Sequence, residues 1–217
     1  MKDRYSIAVG LIFLTLVALA FFRGVGGNQG TLGLDEVSPR WPLPEFAVPV
    51  AASELEGDAN VAQDNCESSR LPCPEQARRT PACGVSDPDA IRVCDLFDRP
   101  LVISFWFTKG GDCADRQDVV EEAFRRYRER VNFLSLNVRD DRGTVRDLIR
   151  SHGWTMPVGY DRDGAVASLY QVGGCPTLAY AYPGGTLQSA GIGDIGPVQL
   201  EARIEELLRA TRRAERG

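Results

Sequence analysis

The feature that most constrains the fold is an uncharged, almost wholly apolar run, Leu101-Val102-Ile103-Ser104-Phe105-Trp106-Phe107. Side chains alternate faces along a strand, so a run that is apolar at both odd and even positions needs cover on both sides and reads as a central strand. Its neighbours are periodic. A short strand is expected over 91–93. Beyond the run, Val120, Phe124, Tyr127 and Val131 recur at spacings of four and three in a helix expected over 113–130, and Cys113, seven residues before Val120, shares that inner face. Then come a strand over 132–138, a helix over 144–151 built on Val145, Leu148 and Ile149, an extended piece over 156–161 and a short helix over 165–171. Residues 177–182 and 186–192 read as a hairpin across Pro183-Gly184-Gly185. Pro197 opens a last helix with Leu200, Ile204, Leu207 and Leu208 as its buried stripe and Arg209, Arg212 and Arg213 near the negative end of its dipole. Alternating β and α elements followed by a hairpin predict an α/β fold, a central mixed sheet flanked by helices.

Lys2 and Arg4 precede an uncharged stretch over 5–22. At about 1.5 Å per residue a helix of that length spans roughly 27 Å, close to the bilayer's hydrocarbon core. Ala18-Leu19-Ala20 also offers a signal-peptidase site, so residues 1–23 read as a transmembrane anchor or a signal peptide. Either exports the remainder and leaves the basic N-terminus inside, which predicts a membrane-anchored extracytoplasmic protein, or a secreted one if the signal is cut. Residues 24–40 are Gly-rich and read as a flexible linker, and 41–217 as the folded domain. Within it, about 51–89 is a polar, Pro-rich insertion without core periodicity. It holds Cys66, Cys73 and Cys83, with Cys94 just beyond.

Export makes six cysteines disulfide-competent. Cys66, Cys73, Cys83 and Cys94 are expected to form structural disulfides, with Cys66 to Cys73 and Cys83 to Cys94 as the local pairings, although spacing alone does not choose among the possible connectivities. Irregular spacing and an oxidising compartment disfavour zinc, so no metal and no other cofactor is expected. A net charge of -5 and a pI near 5.1, with no dense Lys/Arg run, argue against nucleic acid as a partner. The single histidine, His152, stands beside Gly153 at a helix end and reads as a surface residue.

Ser104-Phe105-Trp106-Phe107-Thr108 followed by Cys113, and later Val172-Gly173-Gly174-Cys175-Pro176-Thr177, resemble thioredoxin-like proteins. The resemblance runs over roughly 44–210 and is closest to exported thiol-disulfide oxidoreductases and the related alkyl hydroperoxide reductase/thiol-specific antioxidant group. It implies a thioredoxin fold, redox work on exported protein thiols or disulfides, and a cis-proline at Pro176 that shapes the substrate groove. It also brings out a departure. In such families a Trp-Cys-x-x-Cys motif ends the first central strand; here Lys109 stands at the Trp position and Gly110 at that of the attacking cysteine, so only Cys113 survives. The buried acid of thioredoxin falls at Ser104, which has no pKa in the working range with which to relay a proton.

Dithiol exchange needs a second thiol to resolve the mixed disulfide. The family places the residue before the cis-proline beside the redox motif, and in this chain that residue is Cys175. Cys113 and Cys175 are therefore the candidate catalytic pair, with Pro176, Trp106 and Lys109 as candidate substrate contacts, although Trp106 also suits core packing and Lys109 a solvated loop. Two other readings stay open. With Asp112 as N-cap, Cys113 would sit at the first helical position, where the dipole and Lys109 lower its pKa and Asp112 raises it, as in a single-cysteine peroxidase-like antioxidant protein. The other is a non-catalytic binding or scaffold module that holds an extended polypeptide along the cis-proline edge.

Overall fold

The computed structural model describes residues 41–61, 80–109, 113–193 and 196–216. The expected anchor or signal, the linker, Cys66, Cys73, Gly110, Gly111 and Asp112 lie outside them. Among the described residues no helix is long and apolar enough to cross a membrane.

The chain first builds a small antiparallel sheet from β1 (Phe46–Pro49), β2 (Asn60–Val61) and β3 (Ala90–Arg92), in the order β2-β1-β3. The uncharged run then forms β4 (Leu101–Trp106), all six residues of which are buried. After α1 (Arg116–Tyr127) come β5 (Asn132–Val138), α2 (Arg142–His152), β6 (Val158–Asp161), α3 (Ala165–Leu169), the hairpin of β7 (Thr177–Tyr182) and β8 (Thr186–Ile192), and α4 (Pro197–Ala214). The main sheet has the order β6-β5-β4-β7-β8. β4 is parallel to β5 and antiparallel to β7, with Ser104 opposite Ser135 on one side and Leu178 on the other. This is the mixed central sheet expected from the sequence, with β4 in its middle.

Strand alternation gives the sheet two different faces. Leu101, Ile103 and Phe105 point with Leu134, Leu136 and Ala179 into one core, closed by Phe46, Val48 and Tyr170. Val102 and Trp106 point into the other, with Phe133, Leu178 and Tyr180 against Val120, Ala123 and Tyr127 of α1 and Leu200, Ile204 and Leu207 of α4. Burying a side chain of this size stabilises the fold by about 1.5–3 kcal/mol, and the run on β4 contributes such side chains to both cores.

Residues 41–51 strap the first face from one sheet edge to the other. The Leu187 amide donates to the Trp41 carbonyl at 2.8 Å on β8, and the Ala51 amide donates to the Val158 carbonyl at 2.8 Å on β6. Gly159 permits this approach, since a Cβ there would lie 2.7 Å from Val48 Cγ2 and 2.9 Å from Leu136 Cδ1. Arg142 holds the following turn, its guanidinium donating to the carbonyl oxygens of Val50, Ala51 and Leu55.

Several boundaries differ from expectation. The central strand stops at Trp106, leaving Phe107 half-buried in the loop, and Ala90–Arg92 is the strand where 91–93 was expected, because Val93 turns inward to begin a 3-10 helix, Val93–Leu96. α1 begins at Arg116, after a turn over 113–115, so Cys113 precedes the helix and does not occupy its first position. The segment 51–89 is not wholly outside the core. Ala51, Ala59, Val61 and Ala82 are buried, and Val61 pairs with Phe46. Small alanines carry little hydrophobic periodicity, which hides such a segment from a pattern search. α2 begins two residues early because the Asp141 carboxylate accepts from the Thr144 amide at 2.9 Å, and it ends where Gly153 adopts φ 66°.

Candidate redox site

The candidate site lies at the carboxyl end of β4. Cys113 arrives from the turn before α1 and Cys175 from the loop before β7, and their sulfurs are bonded to each other. The Cα atoms are 5.8 Å apart, within the span a disulfide bridges. Topology explains the meeting: Thr177 at the start of antiparallel β7 lies opposite Phe105, so the residues just before β7 face those just after β4. The Cys175–Pro176 peptide bond is cis, and Pro176 is buried. Cys113 is 7% exposed, whereas Cys175 is half-buried with its Sγ 3.7 Å from the Phe107 carbonyl oxygen.

The other candidates are less closely gathered. Trp106 is fully buried, its indole crossing Trp154 edge-to-face at 5.4 Å, so it packs the core and is no platform for substrate. Lys109 is exposed in the loop that leaves β4. Ser104, where thioredoxin has an acid, belongs to a buried neutral chain: Trp106 Nε1 donates to Ser135 Oγ at 2.8 Å, Ser135 Oγ donates to Gln117 Oε1 at 3.0 Å, and Gln117 Nε2 donates to Ser104 Oγ at 3.1 Å. Each polar atom named in the chain has a partner, which removes the cost of burying it. None is a group that shuttles protons near neutral pH.

Two acids that sequence reasoning missed tie neighbouring segments together. Asp140, buried just beyond β5, accepts from the Thr108 amide and the Thr108 hydroxyl, both at 2.7 Å, and from Asn137 Nδ2 at 2.7 Å. It thereby ties the loop leading to Cys113 to the end of the neighbouring parallel strand. Glu121 on α1 accepts from the Thr155 hydroxyl at 2.6 Å, the Thr155 and Met156 amides at 2.9 Å and Arg125 at 2.8 Å. Burial pushes its pKa up, but these hydrogen bonds outweigh burial and the pKa is lowered. His152 is half-buried, with Nδ1 3.0 Å from Asp118 and its ring beside Trp154, so it belongs to the α1–α2 contact and not to a free surface. A signal existed for Gln117, a polar residue four after Cys113 and three before Val120 on an otherwise apolar stripe. Asp140 had none.

Away from the site, Cys83 and Cys94 are bonded, with Cα atoms 5.8 Å apart, as expected for a local pairing. Glu45 comes within 4.8 Å of both sulfurs. Because those sulfurs are bonded to each other, they offer no thiolate ligand for a metal. At the end of β6, Asp161 is fully buried and accepts from the Val166 amide at 3.2 Å and the Ala167 amide at 2.8 Å at the start of α3. Desolvation dominates there and pushes its pKa up to about 6.

No family model matches the chain. Among curated proteins it is similar to the thiol-disulfide oxidoreductase ResA of Oceanobacillus iheyensis, 23% identical over 122 residues that make up 56% of this chain and 64% of that protein. It is also similar to ResA of Geobacillus kaustophilus, 24% identical over 117 residues, 54% of this chain and 67% of that protein. Among solved structures, a thiol:disulfide interchange protein DsbE from Chlorobium tepidum, described as putative, matches with a TM-score of 0.56 at 16% identity, over 80% of this chain and 96% of that one. A thioredoxin-like protein in its oxidised form matches with a TM-score of 0.52 at 20% identity, over 79% of this chain and 97% of that one. At such identities the structural likenesses establish a shared fold.

Proposed function

We propose that this chain, a member of the thioredoxin-like superfamily, is a thiol-disulfide oxidoreductase whose reversible pair is Cys113 and Cys175. One observation carries the reading: the motif's surviving cysteine is joined to a cysteine that directly precedes a cis-proline, at the carboxyl end of the central strand. That arrangement supplies the second sulfur which Gly110 withholds, and two sulfurs are what exchange requires. The names of the matched ResA proteins support the same activity. The finer reading places the protein on the extracytoplasmic side of a membrane, held by the stretch over 5–22 or released by its cleavage, and acting on exported protein thiols or disulfides. Pro176, directly after Cys175, and Lys109, in the loop that leaves β4, are the proposed substrate contacts. A single-cysteine peroxidase-like protein is a weaker reading, because the bridge to Cys175 occupies the sulfur it would use.

The test is insulin reduction by the full-length chain with a thiol donor. Cys113→Ser and Cys175→Ser are each expected to lower the rate about 100-fold or more, since a lone thiol cannot complete the cycle. Rates equal to those of the unsubstituted chain would overturn the reading. The scaffold reading is favoured by one feature, the burial of Cys113. It predicts a bridge that resists reductant until the chain unfolds.

A further inference from the structure

The two ends of the central strand define opposite poles of the molecule. Cys113 and Cys175 stand at its carboxyl end. Leu101, at the other end, pairs with Ala181 just before the turn over 183–185, and the Gly184 amide in that turn donates to the Phe97 carbonyl oxygen at 2.8 Å, so the turn lies at the pole away from the bridge. Trp41 lies there too, its carbonyl oxygen accepting from the Leu187 amide just past the turn. α1 starts beside the Cys113 turn and runs away from it. Its ion pairs with α4 keep the same order along both helices, Arg126 with Glu201 and Arg130 with Glu205, so α4 runs the same way and ends at the far pole.

The charges on α4 change character at that end. Arg203 still pairs with Glu206 at 3.5 Å, but Arg209, Arg212, Arg213 and Arg216 are exposed and, among the described residues, take part in no ion pair. Residues 209–216 hold four arginines and one acid, Glu215, a net +3 in a chain whose net charge is -5. The helix dipole accounts for Arg212 and Arg213 in the last turn, but it falls off within a turn and does not reach Arg209. Trp41 is the second feature of the pole. It is 52% exposed, whereas Trp106 and Trp154 are buried, and an exposed Trp suits the boundary between water and lipid headgroups.

We propose that this pole lies against the bilayer, with the four arginines on the phosphates of anionic lipids and Trp41 at the interface, so that the redox site faces away from the membrane; this rests on the reading above that the stretch over 5–22 anchors the chain. The place of Trp41 selects lipid over an acidic protein as the occupant. Trp41 is where the domain meets the residues that follow the expected anchor, and a Gly-rich stretch as long as 24–40 spans on average only roughly 20–25 Å. The pole that carries Trp41 is thereby held near the headgroups, where the negative surface potential of anionic lipids attracts each arginine.

The test reconstitutes the full-length chain in phosphatidylcholine vesicles in which about one third of the lipid is either brominated phosphatidylglycerol or brominated phosphatidylcholine, and reads tryptophan fluorescence, which bromine quenches on contact. Of the three tryptophans only Trp41 is exposed, so it reports on the pole. Quenching is expected to be about threefold greater or more with the anionic lipid at low salt, to fall to the neutral-lipid level in R209Q/R212Q/R213Q/R216Q and at high salt, and to vanish in Trp41→Phe. The quadruple variant is expected to keep the insulin-reduction rate, which verifies its fold. Equal quenching by the two lipids, or anionic quenching that the quadruple variant retains, overturns the proposal, and the anchor reading stands if the vesicles keep the chain through a carbonate wash. If the wash strips the chain although charge-dependent quenching preceded it, the surface stands and the anchor reading falls. If the chain is neither kept nor quenched, both fall.

Discussion

The two described disulfides have the same Cα separation, 5.8 Å, and stand in different surroundings. Cys83–Cys94 closes a loop of sequence separation 11 in the N-terminal layer, where Arg92 donates to the Cys83 and Val85 carbonyl oxygens and the Val93–Leu96 turn packs beneath. Cys113–Cys175 closes a separation of 62 across the end of the main sheet, between a helix start and a loop with a cis-proline. The first bridge joins neighbours that the backbone already brings together. The second joins distant segments at the carboxyl ends of the parallel strands, the end of open α/β sheets where ligands bind. The Cα separation does not separate brace from reagent; the surrounding chain does.

The largest effect expected from breaking this contrast is on exchange. Cys175→Ser removes activity, and the chain-entropy model adds a stability loss of about 4 kcal/mol for the longer loop, read by urea unfolding. Cys83→Ser with Cys94→Ser costs about 3 kcal/mol on the same model and leaves the insulin-reduction rate of the folded protein unchanged. A rate that fell with the second pair would place the N-terminal layer in the chemistry.

The edge strand β6 of the main sheet, away from both bridges, can be probed through pH. The folded pKa of Asp161, about 6, lies above the ordinary 3.8, so the group's contribution to stability is fully present below about pH 3.8 and is lost as pH rises through 6. The shift corresponds to roughly 2–3 kcal/mol, and Asp161→Asn is expected to flatten the fall in melting temperature between pH 4 and pH 7. A melting temperature that rises over that range in the unsubstituted chain would contradict the assignment. The smallest expected effect sharpens the other side: Asp140→Asn weakens the clamp on Thr108, at a cost of about 1–2 kcal/mol, and lowers the exchange rate without altering the pairing of the cysteines. An unchanged exchange rate would show that the clamp serves the fold alone.

Much of this was legible in the sequence, for identifiable reasons. The run over 101–107 needed two covered faces, and β4 has them. The stripe Leu200, Ile204, Leu207 and Leu208 lies on one side of α4, and the junction of Cys175 with Pro176 led to the partner of Cys113. What stayed hidden depends on contacts between distant segments. Trp106 suited core packing more than a groove, but the partner that buries its indole N–H, Ser135, comes from β5. The burial of Ala51, Ala59 and Ala82 follows from a strap that crosses the sheet, which local periodicity does not encode. Asp140 resembles any polar residue after a strand until Thr108 is brought to it.

The most direct test is disulfide mapping of the full-length chain across a glutathione redox series, with far-ultraviolet circular dichroism on the same samples. The account predicts that Cys113–Cys175 opens at a mild reducing poise with the fold intact, while Cys83–Cys94 stays closed. A Cys113–Cys175 bridge that opens only together with Cys83–Cys94 and with loss of secondary structure would contradict it.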